Sequence, residues 1–360
     1  MKLVGLGAAT AALPHTASAD SPSFPKGAVV RTVLKDYAPE ELAGGATLFH
    51  EHMSYPADFM PRWNVFSREA RVRNGDIPAN APPPAPPPAP EGTYFMRDAE
   101  LQSAEMAAAK SEGLACIVDG GHPDMGRDVN FLKKISAKSG LPIVAGAGFY
   151  AQPFYPKELE TMSEEQIAQA LIKQVEQDPV GVFGEIGSWD WMTGTERKVF
   201  RAMAKAHLAT NLSIFTHTGI PGKAALEQLD ILEDNGVKPN RIVIGHLGSM
   251  VDPKVAVHKE VCRRGAFIGF DRQGGPGDMQ QVPMVMALIE AGFVNNLMFS
   301  SDLSSFNQTK AGKGGGYAKT WTIFAPKVKA AGATDEQIHT IMVDNPRRFL
   351  AFVPKKQRKG

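Results

Sequence analysis

Eight short apolar runs recur along this chain, and each ends in glycine or in a polar or ionisable residue. Stretches with the residue spacing of amphipathic helices separate many of them. Most of the runs are continuously apolar rather than alternating, which is typical of parallel strands that helices cover on both faces. The predicted strands are Ala46–His52, Ala115–Gly120, Leu141–Gly146, Val180–Ile186, Leu212–His217, Arg241–His246, Ala266–Asp271 and Asn296–Asp302.

Strand and helix alternate over eight cycles, and this order predicts a closed α/β barrel. A (β/α)8 TIM barrel takes roughly 250 residues, so one barrel with loop insertions accounts for residues 20–360 as a single domain. The rival, an open doubly wound sheet, would need a glycine-rich nucleotide loop after the first strand, and the sequence has none there. The helical stretches include Met96–Glu112, Asp128–Ser139, Ser163–Gln177, Thr195–Thr210 and Lys223–Asn235.

The N-terminus has the pattern of a cleavable export signal. Leu3–Leu13 is an apolar run too short to span a bilayer, and Ala17-Ser18-Ala19 resembles a cleavage site. Because Lys2–Ala9 resembles the middle of a twin-arginine signal, we expect the true start to lie upstream. We therefore predict a signal at residues 1–19 and a periplasmic or secreted protein, with an ordinary secretory signal as the alternative.

A proline-rich stretch interrupts the repeat between the first strand and the first predicted helix. So many prolines in close succession cannot form the interior of a helix or of a central strand, so this stretch favours an extended polyproline conformation. We predict a loop insertion at residues 77–92, at the catalytic end of the barrel.

Side chains of the kinds that bind metal ions lie at the C-terminal ends of five predicted strands, the end where barrel enzymes place their sites. Alternation along a strand points His50 and His52 to one side and Glu51 to the helix layer, so we predict a structural role for Glu51. Imidazole and carboxylate groups together suit zinc, with manganese, iron and cobalt as alternatives. The predicted metal ligands are His50, His52, Glu185, His217, His246 and Asp302.

Six ligands exceed what one tetrahedral zinc ion needs, and two ions that share Glu185 would use them all. Zinc lowers the pKa of a bound water from about 15.7 toward about 7. We therefore predict that a metal-bridging hydroxide attacks a carbonyl or phosphoryl centre, and that Asp302 accepts the proton and passes it to the leaving group. The first ion would take His50, His52, Glu185 and Asp302, and the second Glu185, His217 and His246.

Nine motifs between about Gly45 and Phe349 form a set that is specific only as a whole. They are Thr47–His52, Met125–Asp128, Val144–Tyr150, Gly184–Gly187, Phe215–Thr218, Ile244–Gly248, Phe267–Arg272, Ser300–Asp302 and Asn345-Pro346. In order and setting the set resembles the amidohydrolase superfamily and, within it, the phosphotriesterase-related family.

The resemblance implies two metal ions bridged by a carboxylated lysine or by glutamate, and Glu185 indicates the glutamate-bridged branch. Tyr150 and Asp271-Arg272 resemble the lactonase-like branch, in which the tyrosine and the arginine lie beside the substrate. We therefore expect Asp302, Tyr150 and Arg272 to be catalytic residues. The expected reaction is hydrolysis of a small lactone or carboxylic ester, with phosphotriester cleavage as a side activity.

Other functions remain open. One alternative is an amidase, deacetylase or phosphodiesterase of the same superfamily, and another is a non-catalytic periplasmic metal-binding protein. The formal net charge of +1 gives no support for a nucleic-acid partner. We expect no stable membrane insertion, and the sequence leaves a homodimer open.

Three more side chains follow predicted strands. We expect His122 to be a solvent-exposed loop histidine, with contact to the substrate as the alternative. Trp189 and Trp191 could form a pocket wall or cover the barrel rim, and the sequence does not decide between the two.

Overall fold

A computed structural model describes residues 22–82, 93–189, 191–219, 222 and 224–355. The predicted signal at residues 1–19 and residues 83–92 of the proline-rich insertion lie outside the described residues. Within them, eight parallel strands form a nearly closed barrel with helices between them, and the prediction of a TIM barrel is confirmed.

The strands pair in chain order, each parallel to the next. The first and last strands meet at their C-terminal ends, where the Ser300 hydroxyl donates to the His50 carbonyl at 2.7 Å. The main-chain N–H of Asp302 donates to the same carbonyl at 3.2 Å. The strands are β1 (Ala46–Glu51), β2 (Leu114–Asp119), β3 (Ile143–Ala147), β4 (Val180–Ser188), β5 (Ile214–Thr218), β6 (Ile242–Ile244), β7 (Phe267–Phe270) and β8 (Leu297–Phe299).

Helices surround the barrel, and α2 to α6 lie close to the predicted bounds. Local sequence explains where several begin: Asp98, Asp128, Ser163 and Thr193 each accept a hydrogen bond from a main-chain N–H of the first turn. The helices are α1 (Phe59–Arg73), α2 (Ala99–Ser111), α3 (Val129–Ser139), α4 (Glu164–Gln177), α5 (Gly194–Thr210), α6 (Ala225–Asp234), α7 (Ala256–Arg263), α8 (Asp278–Glu290), α9 (Ala325–Ala330), α10 (Asp335–His339) and α11 (Asn345–Leu350).

Helix α1 is absent from the predicted elements. It follows β1 directly, so the first βα loop carries a helix as well as the proline-rich stretch. Its signal was present, because Phe59, Trp63, Phe66 and Ala70 recur at helical spacing. Pro61 lies in the first turn, where the missing N–H has no helical partner to lose.

The barrel interior is filled by a cluster of buried apolar side chains to which every strand contributes, among them Phe49, Val144 and Phe215. The rings of Phe49 and Phe215 meet edge to face, with centroids 6.1 Å apart. This packing supports the strand ends on which the predicted ligands lie. None of the helices in the described part of the chain has the length and apolar character needed to cross a membrane.

Candidate metal centre

The structure brings the six predicted ligands together at the C-terminal end of the barrel. Three lie within strands β1, β4 and β5, and three lie just after β1, β6 and β8. The side chains of the first five are at most 3% exposed and that of Asp302 is 14% exposed. In chain order they are His50, His52, Glu185, His217, His246 and Asp302.

Glu185 lies at the centre of this cluster. Its Oε1 is 3.1 Å from Nε2 of His52. Its Oε2 is 2.9 Å from Nδ1 of His217, 3.3 Å from Nε2 of His50 and 3.5 Å from Nε2 of His246. One carboxylate thus faces four imidazoles, which is the position that a bridging ligand requires.

Asp302 lies beside the imidazoles of His50 and His52. Its Oδ1 is 3.2 Å from Nε2 of His52 and 3.8 Å from Nε2 of His50. Two groups have ligand atoms within 4.8 Å of one another, and His50 belongs to both: His50, His52 and Asp302 form one, and His50, Glu185 and His246 the other. The second differs from the predicted second set, which has His217 in place of His50.

The donor set fits divalent cations. Nε2 of His50 is buried and has no hydrogen-bond partner among the described residues, although two carboxylates face it. Buried carboxylates need cationic partners, and the guanidinium of Arg272 pairs with Asp302, with Nε 3.2 Å from Oδ2. Among the described residues it forms no ion pair with Glu185. Imidazole nitrogens and carboxylate oxygens that converge in a buried site are the ligands that zinc and similar ions bind.

Burial and mutual contacts shift the pKa values of these groups. Burial lowers the pKa of His52, but hydrogen bonds with Asp302 and Glu185 outweigh it and raise that pKa to about 9. Burial and the neighbouring His246 lower the pKa of His217 to about 4. Burial raises the pKa of Glu185 and of Asp302, yet the imidazoles hold both pKa values below their usual range. Ionised carboxylates and a neutral His217 are the states in which these groups bind metal, whereas His52, with its raised pKa, must lose its proton when an ion binds.

Asp271 orients two of the imidazoles, and sequence reasoning did not include it among the metal ligands or catalytic residues. Its Oδ2 is 3.0 Å from Nδ1 of His50, and its Oδ1 is 2.9 Å from Nδ1 of His246. A carboxylate at Nδ1 holds the proton there and leaves the lone pair of Nε2 facing the cluster. The signal was available, since Asp271 closes the seventh predicted strand as the other ligand-type residues close theirs.

Glu51 fixes the main chain that presents Asp302. Its carboxylate accepts hydrogen bonds from the N–H of Ser301 at 2.7 Å and of Leu303 at 2.9 Å, on either side of Asp302. Asp302 itself has φ of 48°, a left-handed conformation that is unfavourable for a residue other than glycine. These contacts give Glu51 a positioning role, in keeping with the structural role expected of it.

Tyr150 and Arg272 line a cavity of about 280 Å³ that opens onto the cluster. The Tyr150 hydroxyl is 3.1 Å from Nδ1 of His217 and accepts a hydrogen bond from Nε1 of Trp63 at 2.8 Å. Burial raises the pKa of Tyr150 well above its usual value, so its phenol stays protonated. Much of the remaining lining is apolar and comes from α1 and the residues before it, namely Tyr55, Phe59, Met60 and Trp63.

His122 is buried, and the expectation that it is exposed is wrong. Its Nε2 lies 2.9 Å from the main-chain oxygen of Glu185. Its Nδ1 is hydrogen-bonded to Asp124, which also accepts the N–H of Tyr150 at 2.9 Å. The segment after β2 therefore packs against the segments that carry Glu185 and Tyr150, which places His122 in a positioning role.

The two tryptophans after Glu185 have different surroundings. Trp189 is buried, and its ring centroid is 6.3 Å from that of His217, so it lies beside the cluster. Trp191 is 62% exposed and donates from Nε1 to Asn74 at 2.8 Å, which places it at the rim of the barrel.

Comparisons with known proteins find relatives over most of the chain. The sequence profile of the phosphotriesterase family matches residues 30–350. The phosphotriesterase homology protein of Escherichia coli is 30% identical over 256 residues, covering 68% of this chain and 87% of that protein. Its crystal structure with phosphate in the active site has a TM-score of 0.73 at 26% identity, covering 87% of this chain and 100% of the other. The human N-acetyltaurine hydrolase is 26% identical over 351 residues, covering 90% of this chain and 98% of that protein.

Proposed function

This chain belongs to the phosphotriesterase family of metal-dependent hydrolases, and we propose that it cleaves a carboxylic acyl bond in a small molecule, with an ester or lactone as the first candidate. The observation that carries the proposal is the convergence of four imidazoles and two carboxylates at the floor of a cavity that Tyr150 and Arg272 also line. Amidohydrolase-type cleavage needs these two parts together, a metal-binding cluster and a cavity that holds the acyl group.

Two divalent cations, zinc in this proposal, would supply a polarised carbonyl and a water of lowered pKa. His50, His52 and Asp302 would hold one ion, His217 and His246 the other, and Glu185 both. Asp302, whose carboxylate lines the cavity beside the cluster, would accept the proton of the attacking water. Arg272, which donates to Oδ2 of Asp302, keeps that carboxylate oriented. The same carboxylate can return the proton to the leaving group.

An amide is the second candidate, and the family's relatives favour it. Proteins named N-acetyltaurine hydrolase from several vertebrates are 26–27% identical and span 90% of this chain. An amine must gain a proton as it leaves, and Asp302 lies where it could provide one. The position of Asp302 also argues against a metal carrier without catalysis, because a carrier has no use for a proton acceptor beside a substrate cavity.

A substrate panel with and without metal tests the proposal. We expect the zinc-loaded protein to hydrolyse lactones, aryl esters or N-acyl amines, with a paraoxon-type phosphotriester as a weaker substrate, and a chelator to abolish the activity. His217→Ala should lower kcat by about 100-fold or more, since it removes a ligand of the centre. His339→Ala is the matched control, because that histidine is half exposed on α10.

Activity that is unchanged by the chelator or by His217→Ala would refute metal-dependent hydrolysis at this site. Turnover of the N-acyl amines alone would replace the ester proposal by the amide.

A further inference from the structure

A second cavity, of about 420 Å³, adjoins the first. Arg272, Asp302 and Ser304 line both, so the two cavities meet at these side chains. The far side of the second cavity is formed by glycine-rich segments after β7 and β8, Gly274–Gly277 and Gly314-Gly315. A molecule bound above the metal centre can therefore extend one arm past Asp302 into the second cavity.

A buried lysine lines this second cavity. Lys319 is 3% exposed, and its ammonium forms no salt bridge with any residue that the structure describes. The acidic groups around it are already engaged: Glu51 accepts from Ser301 and Leu303, and Asp278 pairs with Lys327 at 2.6 Å. Burial lowers the pKa of Lys319, against the opposing effect of Glu51, Asp302 and Asp278. The Lys319 side chain therefore lines the cavity without a salt-bridge partner among the described residues, and an anion in the cavity could pair with its ammonium.

Two glycines leave room for the stem of this lysine. A Cβ atom at Gly274 would lie 2.7 Å from Cγ and Cδ of Lys319, and one at Gly315 would lie 2.7 Å from its Cβ. Distances this short are essentially never seen for real Cβ atoms. The loops after β7 and β8 therefore lack side chains at the two points where the lysine passes between them.

Gln273 gives a second, independent sign that this cavity binds a polar ligand. Its side chain is buried, with the residue 2% exposed, and neither the amide nitrogen nor the amide oxygen has a hydrogen-bond partner among the described residues. Gln273 lines the same cavity as Lys319. Buried amides in proteins are nearly always hydrogen-bonded, so an amide left unpaired in the free protein indicates a partner that comes from outside.

Resting on the proposed hydrolysis, we propose that the second cavity binds an anionic group, a carboxylate or a sulfonate, on the leaving group of the substrate. Asp302 lines both cavities and is the residue placed to protonate the leaving group, so a leaving group that receives its proton there can extend into the second cavity. Lys319 supplies the charge that recognises the anion, and the Gln273 amide donates a hydrogen bond to it. The substrate class is then a small acyl ester or amide whose released alcohol or amine carries an acid group a few bonds away.

Equilibrium binding of product-like amines tests this subsite without requiring turnover. The probes are β-alanine, taurine and ethanolamine, which share a two-carbon amine and end in a carboxylate, a sulfonate and a hydroxyl. Binding to the zinc-loaded protein is measured by titration calorimetry. We expect the affinity for one or both anionic probes to be at least about tenfold higher than the affinity for ethanolamine. The two anionic arms show which acid group the cavity prefers.

Three variants test whether the preference for anionic probes depends on the second cavity. Lys319→Met keeps most of the stem and removes the charge, so the preference for anionic probes should fall to within about twofold. Lys313→Met is the matched control, because Lys313 is exposed in the loop after β8 and does not line the cavity. Gln273→Leu should weaken anion binding but raise the Tm of the free protein, since it removes an unpaired buried amide. A Gln273 with a purely structural role would not produce that pair of opposite changes.

Equal binding of the three probes, or an anion preference that survives in Lys319→Met, would overturn the subsite. Where Lys319→Met does not fold by circular dichroism, the Gln273→Leu variant decides: unchanged anion affinity overturns the proposal and weakened affinity supports it. Hydrolysis of N-acetyl-β-alanine, N-acetyltaurine and N-acetylethanolamine, with aryl esters alongside, is measured separately. Lys319-dependent binding without cleavage of any acyl bond would refute the proposed function and leave the anion site standing.

Discussion

At the scale of single residues, Asp271 shows how a side chain that does not face the proposed ions can still control them. Its two oxygens contact Nδ1 of His50 and Nδ1 of His246, and Oδ1 also accepts the main-chain N–H of His246 at 3.0 Å. Two imidazoles on different segments therefore take their tautomer and their orientation from one carboxylate. Burial raises the pKa of Asp271, but the contacts with His246 and His50 hold it far below its usual value, so it is an acceptor at any working pH.

We expect Asp271→Asn to lower metal affinity or kcat by about 10- to 100-fold. An asparagine has one acceptor oxygen in place of two, so it cannot accept from both Nδ1 atoms, and one imidazole must turn or change tautomer. Metal content after dialysis and kcat at saturating zinc would be measured. Asp252→Asn is the control, because it makes the same change beside His258, a buried imidazole outside the centre, with Nδ1 3.7 Å from Oδ2. Wild-type metal content and kcat in Asp271→Asn would contradict the role assigned to this carboxylate.

At the scale of elements, the start of α5 connects a helix to the segment that carries Tyr150. Thr193 and Glu196 form a capping box, in which Glu196 accepts the N–H of Thr193 at 2.9 Å and Thr193 accepts that of Glu196 at 3.1 Å. The second oxygen of Glu196 accepts the N–H of Gln152 at 3.3 Å. Burial raises the pKa of Glu196 to about 7. A titratable carboxylate thus holds both the helix start and the loop after β3.

This carboxylate should make stability depend on pH. A folded pKa of about 7 against an ordinary glutamate pKa of 4.5 means that the folded protein binds the proton more readily, so the free energy of unfolding falls as pH rises from about 4.5 to 7. The loss is at most about 3 kcal/mol, at 1.36 kcal/mol per pKa unit. The free energy of unfolding of Glu196→Gln, relative to that of wild type, should therefore be higher at pH 8 than at pH 5. Urea unfolding at a constant metal concentration would measure this difference.

The control for this prediction is Glu176→Gln, which makes the same change at an exposed position of α4. Its stability difference from wild type should be the same at both pH values. A pH-independent difference for Glu196→Gln as well would show that Glu196 does not titrate in this range.

At the scale of the whole molecule, the candidate metal centre ties the barrel together at one end. Its ligands come from β1, β4 and β5 and from the segments after β6 and β8, so a bound ion would link strands from around the ring. The join between β8 and β1 depends on Ser300 and Asp302, next to the ligands themselves. Metal binding and the stability of the barrel should therefore be coupled.

We expect zinc to stabilise the folded barrel. Ligand binding to the folded state alone adds about 2.7 kcal/mol to the free energy of unfolding at a free metal concentration 100-fold above Kd. Scanning calorimetry should show a higher Tm with zinc than with chelator for wild type and for the His339→Ala control, and a smaller difference for His217→Ala. An identical Tm with zinc and with chelator in wild type would contradict a metal centre at this end of the barrel.

Local residue patterns are sufficient to predict the repeating units and the ends of the strands. Apolar runs, helical spacing and capping residues are local, so the eight strands and helices α2 to α6 could be read from the chain. The position of His50, Glu185 and His217 at strand ends follows from the same local pattern, since parallel strands of a barrel bring those ends to one face. Helix α1 shows the same helical spacing of apolar residues, although it is not among the predicted helices.

Contacts between distant segments depend on how the barrel closes. Asp271 meets His50 across 221 residues of sequence, Glu51 meets Ser301 across 250, and His122 is buried because it meets Glu185 across 63. The cavity around Lys319 likewise exists only where the loops after β7 and β8 come together. Local residue preferences place a side chain along its own strand or helix, but its partners in a loop cluster depend on how the whole barrel closes, and no local pattern carries that information.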